Sequence, residues 1–263
     1  MLRASTLRAF VFLVQGGARR AYQEKAQTVL GGIFLGLTLF IFSQLWVALK
    51  ESSVTFSALQ PRDFVWYLML TELVVLSTPR VFFAVQEEIT SGAFDVRILK
   101  PFPPPLIYFA GACGELLVRL ALMLVVGTVV TYAIVGAPPS DCLGLLEGYL
   151  LVPFACVVLL LFYLAIGLTS GWIHDTIPLT WVFNKSMFTL GGLMVPLLLF
   201  PDILRFFAYA TPFPALLYLV ARGVFGSSVA GFLTALLALV FWGMVAAGLS
   251  LVLYKRLLQL RIR

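Results

Sequence analysis

Charged residues are scarce in this chain. Asp, Glu, Lys and Arg make up 11% of its 263 residues, whereas soluble domains carry roughly a quarter. Hydrophobic residues make up 61%, and the mean hydropathy is +1.03. This composition excludes an ordinary soluble domain and predicts an all-α, polytopic membrane protein. About six spans of roughly 20 residues use almost the whole length, so we expect one transmembrane domain over residues 1–263.

The residue types that hold metals and perform catalysis are equally few. His174 is the only histidine, and the three cysteines, Cys113, Cys142 and Cys156, are widely spaced without a CxxC pair. No metal site or disulfide framework is predicted. A helix-end cap explains His174 beside Asp175 better than catalysis does.

Enzyme motifs are also missing. The chain has no GxxxxGK[ST] loop to cradle phosphates, no GxSxG elbow and no HExxH pair. We therefore expect that it is not an enzyme, cannot hydrolyse ATP alone and carries no cofactor of its own.

Six apolar stretches predict the spans: residues 29–49, 64–85, 116–135, 150–172, 181–200 and 229–254. With the N-terminus inside, twelve Lys and Arg residues are cytoplasmic, including Lys185, and four face out, as the positive-inside rule expects. The remaining two, Arg80 and Arg119, fall within spans. Both termini are predicted to be cytoplasmic, at the cell inner (plasma) membrane. This bias and attraction to anionic lipid account for the net charge of +6, so no nucleic-acid partner is implied.

Residues 1–27 have the pattern of an interfacial helix. Apolar side chains recur at helical spacing from Leu7 to Tyr22, with Arg8 and Arg19 on the other side. The apolar run after Arg8 is short for a signal peptide, so we expect the segment to be retained. A solvated basic tail is the alternative, and Gly16 with Gly17 leaves open whether there are one or two helices.

Residues 86–105 form the longest polar segment on the cytoplasmic side. Ile89, Ala93, Val96, Ile98 and Leu99 can make one apolar helix face, and the prolines after Lys100 end it rigidly. The polar part comprises Glu87, Glu88, Asp95 and Arg97. The segment is either a docking helix for a soluble partner or a plain connector.

Several charged residues fall in or near predicted spans, Arg80 among them. Glu115 and Arg119 are one helical turn apart and are expected to pair, because an unpaired charge in the bilayer is costly. An ion relay is less favoured, since no second series of carboxylates accompanies them. Glu72 lies in mid-span, where a role in a transport pathway and a structural hydrogen-bonding role are both open.

Small residues spaced by four mark possible helix interfaces, with Gly32 and Gly36 as the best candidate pair. The pairs Gly144 with Gly148 and Gly167 with Gly171 have the same spacing. GxxxG is frequent by chance, so it supports oligomerisation only weakly.

The stretch 190–226 is too apolar for a loop and too broken for one helix. Pro196, Pro201, Pro212 and Pro214 each remove a backbone donor. Irregular backbone at membrane depth must be buried in protein or line a watery cavity. We expect a re-entrant outer hairpin over residues 201–228, between spans five and six.

This layout resembles an ABC-2 type transporter permease, in particular the short six-span permease subunits of ABC exporters. The stretch ITSGAFDVRILKP, residues 89–101, is similar to the family element I-x-x-G-x-[LF]-D-x-x-[LI]-x-[RK]-P. Residues 190–214 resemble its G-x-x-x-P-x-x-x-x-P pattern followed by a Pro-Phe turn. Lys100 stands where arginine is common, which keeps the charge but loses forked hydrogen bonding.

The resemblance implies an export permease that moves an amphiphilic or lipid-like substrate: a drug, peptide, lipid or glycolipid. Its implied partners are membrane lipid, a second permease in a homo- or heterodimer, and an ABC ATPase subunit that holds ATP and Mg. The implied coupling residues are Glu87, Glu88, Asp95, Arg97 and Lys100, and the implied outer gate is Gly192, Pro196, Pro201, Pro212 and Phe213. A secondary transporter or channel without an ATPase, or a scaffold subunit, is the alternative.

Overall fold

The computed structural model describes residues 2–23, 25–52, 60–99 and 102–262. Over those ranges the regular structure is helical and no strand occurs, which confirms the expected all-α class. Lys100 and Pro101, at the end of the predicted docking segment, lie outside the described residues.

The first half of the chain forms six helices. They are α1 Leu2–Gln23, α2 Lys25–Ser52, α3 Pro61–Ser77, α4 Val81–Thr90, α5 Ala93–Ile98 and α6 Pro104–Val135. Proline begins α3 and α6, where its missing N–H has no intrahelical partner to lose. Gly136 ends α6 with φ +74°, and its N–H donates to Tyr132 O at 2.8 Å.

The second half has longer helices joined by short pieces. The helices are α7 Cys142–Leu168, α8 Ser170–Ile173, α9 Ile177–Leu190, α10 Asp202–Tyr209, α11 Phe213–Leu216, α12 Tyr218–Ala221 and α13 Val229–Ile262. Two 3-10 turns, Leu197–Leu199 and Arg222–Phe225, lie between them. His174 has φ 51° in the turn after α8, and Asp175 accepts from Ile177 N at the start of α9.

In the part of the chain that the structure describes, five helical stretches are long and apolar enough to cross a membrane. They correspond to the first, second, third, fourth and sixth predicted spans: Val29–Lys50, Pro61–Thr90, Pro104–Val135, Cys142–Ile173 and Val229–Arg261. A sixth is reached if Asp202–Tyr209 and Phe213–Phe225, bent by 83°, count as one broken span.

The fifth span, predicted as continuous over residues 181–200, is wrong in that form. Helix α9 ends at Leu190 and, at 1.5 Å per residue, is about 20 Å long, short of a ~30 Å hydrocarbon core. Gly192 follows with φ +72°, and Pro196 precedes a 3-10 turn. The chain therefore bends where a straight helix was expected.

Helices α3 and α7 form the centre of the bundle. In each of the two spans that contain them, 72% of the most apolar 18-residue window is buried. In the other three candidate spans, the buried share of that window is only 17–28%. The outer helices α2, α6 and α13 carry exposed apolar side chains, as lipid-facing helices do. The two ends of this bundle differ, and we call them the charged end, where α4 ends and α6 begins, and the loop end, where α6 ends and α7 begins.

Helix α1 is continuous through both glycines and packs across the first half of α6. A Cβ on Gly17 would overlap the carbonyl oxygen of Gly111, and a Cβ on Gly114 would overlap that of Val14. The two backbones approach closely because none of these glycines has a side chain. Whether α1 lies at a membrane interface stays a prediction.

The predicted small-residue pairs contact other helices of this same chain. Gly32 and Gly36 face Val126 and Val130 of α6 at ordinary contact distance. Gly144 packs more tightly, since a Cβ there would overlap the carbonyl oxygen of Gly223. These glycines thus serve packing within the subunit.

Candidate functional site

Helices α4 and α5 form a sharp elbow at the charged end. Helix α4 ends at Thr90, and Gly92, with φ +79°, reverses the chain into α5. A side chain at that φ would be strained, so glycine suits the turn. Ile89 and Phe94, 2% and 0% exposed, anchor the two arms of the elbow in the core.

One carboxylate fastens the elbow to α6. Glu88 accepts a hydrogen bond from Arg97 Nη2 at 2.5 Å and another from Tyr108 OH at 2.6 Å. The Arg97 guanidinium also lies over the Tyr108 ring, 5.3 Å from its centroid. Movement of α5 is thereby linked to the start of α6.

The last turn of α13 fastens the elbow from the other side. Arg261 donates to Asp95 Oδ2 at 3.0 Å and to the carbonyl oxygen of Ile89 at 3.1 Å. Three of the predicted coupling residues, Glu88, Asp95 and Arg97, are therefore engaged in contacts within the subunit.

The outward surface of α5 is apolar. Val96 is 66% exposed and Leu99 is 85% exposed, whereas Phe94 is buried. The single apolar face predicted from Ile89 to Leu99 is therefore wrong: Ile89 turns inward, and Ala93, Val96 and Leu99 turn outward. The Gly92 turn separates α5 from α4, so the helical periodicity of one does not continue into the other.

A cavity of about 940 Å³ opens beside the elbow. Its walls come from α1, α2, the junction of α3 with α4, and α6. Seven charged side chains of the described residues line it: Arg20, Arg80, Glu87, Glu88, Arg97, Glu115 and Arg119. The volume is within the range of small-molecule sites, roughly 300–1,000 Å³.

A pair of opposite charges in the first half of α6 lines this cavity. Arg119 Nη2 lies 2.5 Å from Glu115 Oε1. Ile107, Gly111, Glu115 and Arg119 are spaced by four and all line the cavity, which gives a stripe about 18 Å long at 1.5 Å per residue.

The span of α3 and α4 is interrupted where it meets the cavity. Thr78–Arg80 is not helical, because Pro79 disfavours helical backbone at the residue before it. Irregular backbone at membrane depth is stable only when buried in protein or beside a watery cavity. All three residues of the break line the cavity.

Glu72 lies away from this cavity and is almost fully buried in α3, at 3% exposure. It makes no hydrogen bond or ion pair within the described ranges. Its neighbours bind the broken segment instead, since Tyr67 donates to the carbonyl oxygen of Gly192 and Thr71 donates to that of Leu193 at 3.0 Å.

The predicted outer-gate residues are spread along the bent segment at the loop-end side of α9. Gly192 follows α9, Pro196 precedes a 3-10 turn, Pro201 caps α10, and Pro212 with Phe213 begins α11. Arg205 closes the turn by donating to the carbonyl oxygens of Leu197, Leu198 and Phe200 at 2.9–3.2 Å. Leu197 and Leu216 are fully buried, whereas most of α10 is exposed, so protein shelters only part of this segment.

Several residues of the charged end were missed from sequence. Arg20, Tyr108 and Arg261 reach the elbow or cavity from helices distant in the chain. Of the residues that line the cavity but were not predicted to, Arg80 could have been found from sequence, because it is a charged residue inside an apolar span next to proline. Lys185, counted as cytoplasmic, lies eight residues into α9 and stacks on Trp181, 5.1 Å from the ring centroid.

The structure is a helical bundle with a charged elbow and a broken segment between its last long helices, and its apolar helices are those of a multi-pass membrane protein. The family model described as "ABC-2 family transporter protein" matches residues 64–260. The chain belongs to this family, whose membrane component is not itself catalytic. No curated protein matches the chain.

Proposed function

We propose that this chain is the transmembrane permease subunit of an ATP-driven ABC exporter. It moves an amphiphilic or lipid-like substrate out of the cytoplasm or inner leaflet, and a separate subunit hydrolyses ATP. The observation that carries this proposal is the elbow, because Val96 and Leu99 are uncovered while Arg97 is bound to Glu88 of α4 and Asp95 to Arg261 of α13.

The charged end is the cytoplasmic end in this proposal. Arg20, Lys255, Arg256 and Arg261 lie on the helix ends that reach it. Basic residues favour the cytoplasmic side of a plasma membrane. An ATP-binding subunit in the cytoplasm then meets α5 directly, and both termini of the chain lie on that side.

The elbow supplies a route for coupling. A push on α5 is carried to α6 through Glu88 and Tyr108, and to α13 through Arg261. Helix α4 rotates against α3 at the break from Thr78 to Arg80, since a few residues at element ends absorb such changes. The cavity beside that break widens or narrows as α4 moves.

The second permease packs on α9. Trp181 and Val182 are 65% and 60% exposed, and Lys185 is exposed between them and the end of the helix. A lysine about 12 Å into a membrane helix is costly when it faces lipid. Another permease or a polar path between two permeases relieves that cost.

Copurification tests the proposal. Tagged protein is extracted from its native membranes in mild detergent, and we expect an ATP-binding subunit and a second permease to elute with it. Leu99→Asp should reduce recovery of the ATP-binding subunit at least fivefold, because it places a carboxylate in an apolar contact.

The matched control is Val229→Asp, which changes an apolar residue of similar exposure, 77%, at the loop end. It should leave recovery of the ATP-binding subunit unchanged. If wild-type protein brings down no ATP-binding subunit, the proposal is wrong, and a secondary transporter or channel becomes the better account.

A further inference from the structure

The cavity at the charged end contains two arginines for which the described part of the chain supplies no ion-pair partner. Arg97 pairs with Glu88, and Arg119 pairs with Glu115. Arg20 and Arg80 have no carboxylate within 4 Å among the residues that the structure describes. Since Glu87 is the one acidic residue of the lining outside those two pairs, the lining has an excess of positive charge.

These two arginines line the cavity from different elements of the chain. Arg20 belongs to α1, and its guanidinium lies over Gly111 of α6. That position follows from the close packing of Gly17 on Gly111. Arg80 sits at the interrupted backbone, where Pro79 ends the helical ladder.

The rim of the same cavity is apolar and open. Leu30 on α2 is 65% exposed, and Phe83 on α4 is 47% exposed. Ile107 continues the apolar wall on α6. A cavity lined by both guanidinium groups and exposed apolar side chains fits a molecule that has an anionic head and hydrocarbon chains.

We propose that this cavity binds an anionic phospholipid-type amphiphile, with its phosphate between Arg20 and Arg80 and its acyl chains along Leu30 and Phe83. Guanidinium groups bind phosphate oxygens through forked, charge-assisted hydrogen bonds. Basic pockets between membrane helices on the cytoplasmic side bind such headgroups. The site needs neither an ATPase nor the lipid's transport, so it extends beyond the proposed function.

Native mass spectrometry of the delipidated protein in detergent tests this assignment. Phosphatidic acid is titrated in, with phosphatidylcholine as the neutral-headgroup lipid and glycerol 3-phosphate as the water-soluble headgroup. We expect phosphatidic acid to bind with at least tenfold higher affinity than either. The doubly substituted Arg20→Gln, Arg80→Gln protein should lose about tenfold in affinity, the equivalent of one charge-assisted hydrogen bond.

Arg256→Gln is the matched control, because Arg256 is exposed at the charged end and does not line the cavity. It should leave phosphatidic acid binding unchanged. Ala84→Trp adds a second test without a change of charge. Exposed Ala84 lines the cavity, so a large ring at this position occupies part of the space in which the lipid would lie. That variant should also weaken binding about tenfold.

Three results overturn the assignment. An equal loss of phosphatidic acid affinity in Arg256→Gln means that the lipid is attracted to the basic surface in general. Equal affinity for phosphatidylcholine means that the net negative charge of the headgroup does not contribute to binding. Glycerol 3-phosphate binding as tightly as the lipid means a soluble phosphate site. Because the assay contains no nucleotide and no second subunit, none of these results bears on the proposed function.

Discussion

At the scale of single residues, Glu88 joins three elements through one carboxylate. It accepts from Arg97 on α5 and from Tyr108 on α6, while its own backbone belongs to α4. Charge-assisted hydrogen bonds of this kind contribute more than neutral ones. We regard Glu88 as the positioning residue of the elbow.

Removing the acceptor should loosen the elbow. In Glu88→Ala, the Arg97 guanidinium and the Tyr108 hydroxyl lose their shared partner, so we expect the free energy of unfolding to fall by about 1 kcal/mol, discounted for partial exposure. Thermal unfolding in detergent measures it. Glu87→Ala, a neighbouring exposed carboxylate, should change little, and an equal loss in both variants would refute the positioning role.

Asp141 has a comparable role at the loop end. It accepts from Ser227 N at 2.6 Å and caps α7 by accepting from Gly144 N at 3.0 Å. These backbone donors, Ser227 first, hold the pKa of Asp141 below its ordinary value, although desolvation opposes them.

The stabilisation by Asp141 should depend on pH. Because its folded-state pKa is lowered, the contribution is present above the unfolded-state pKa of about 3.9 and is lost as pH falls through the folded value. We expect the wild-type unfolding temperature to drop below about pH 4. Asp141→Asn keeps a capping oxygen but should flatten that drop, and an unchanged drop would contradict the assignment.

At the scale of elements, the crossing of α1 on α6 depends on glycine at particular positions. Gly16 and Gly17 are adjacent, yet they differ sharply in surroundings. A Cβ on Gly16 meets no atom within 4 Å, whereas a Cβ on Gly17 overlaps Gly111 O. This pair offers a matched comparison inside one helix.

Alanine at the two positions should have opposite effects. Gly16→Ala raises helix propensity by up to about 1 kcal/mol and should leave stability equal or higher. Gly17→Ala should lower the unfolding temperature by several degrees and expose α1 to limited proteolysis, because the backbones must separate. Similar behaviour of both variants would mean that α1 does not pack on α6 in this way.

The elements also show what sequence can and cannot predict. Five long spans follow from apolar run length, and the Gly92 turn lies within a recognisable motif. The orientation of Val96 does not follow, because the turn resets the helical phase between α4 and α5. The early end of α9 needed the interaction of Gly192 with Tyr67, two residues 125 positions apart.

The cavity could not be predicted from sequence either, because it too depends on contacts between distant parts of the chain. Its charges come from several separate helices, and a single sequence without tertiary contacts does not place Arg20 and Arg80 in one cavity. The rule that irregular backbone in a membrane must be buried or line a cavity directed attention to residues 190–226. The break that lines the large cavity is instead Thr78–Arg80.

At the scale of the whole molecule, we assign different roles in transport to the charged end and the loop end. The charged end contains the elbow, the cavity and most of the basic helix ends. The loop end is closed by Asp63, which accepts from Ser140 N and Oγ at 2.7 Å, and by the turn around Arg205. In the proposed transporter, force enters at the charged end and the loop end moves in response.

The most direct test of this account is photo-crosslinking from α5 in native membranes. A photoreactive phenylalanine analogue replaces Val96, which is 66% exposed on the elbow, and Ile203, 73% exposed on α10, serves as the control position. The account predicts a covalent adduct between position 96 and an ATP-binding protein, identified by its Walker A peptide, and none from position 203. Adducts of position 96 with lipid or membrane proteins alone, in cells that express and insert the protein normally, would contradict it.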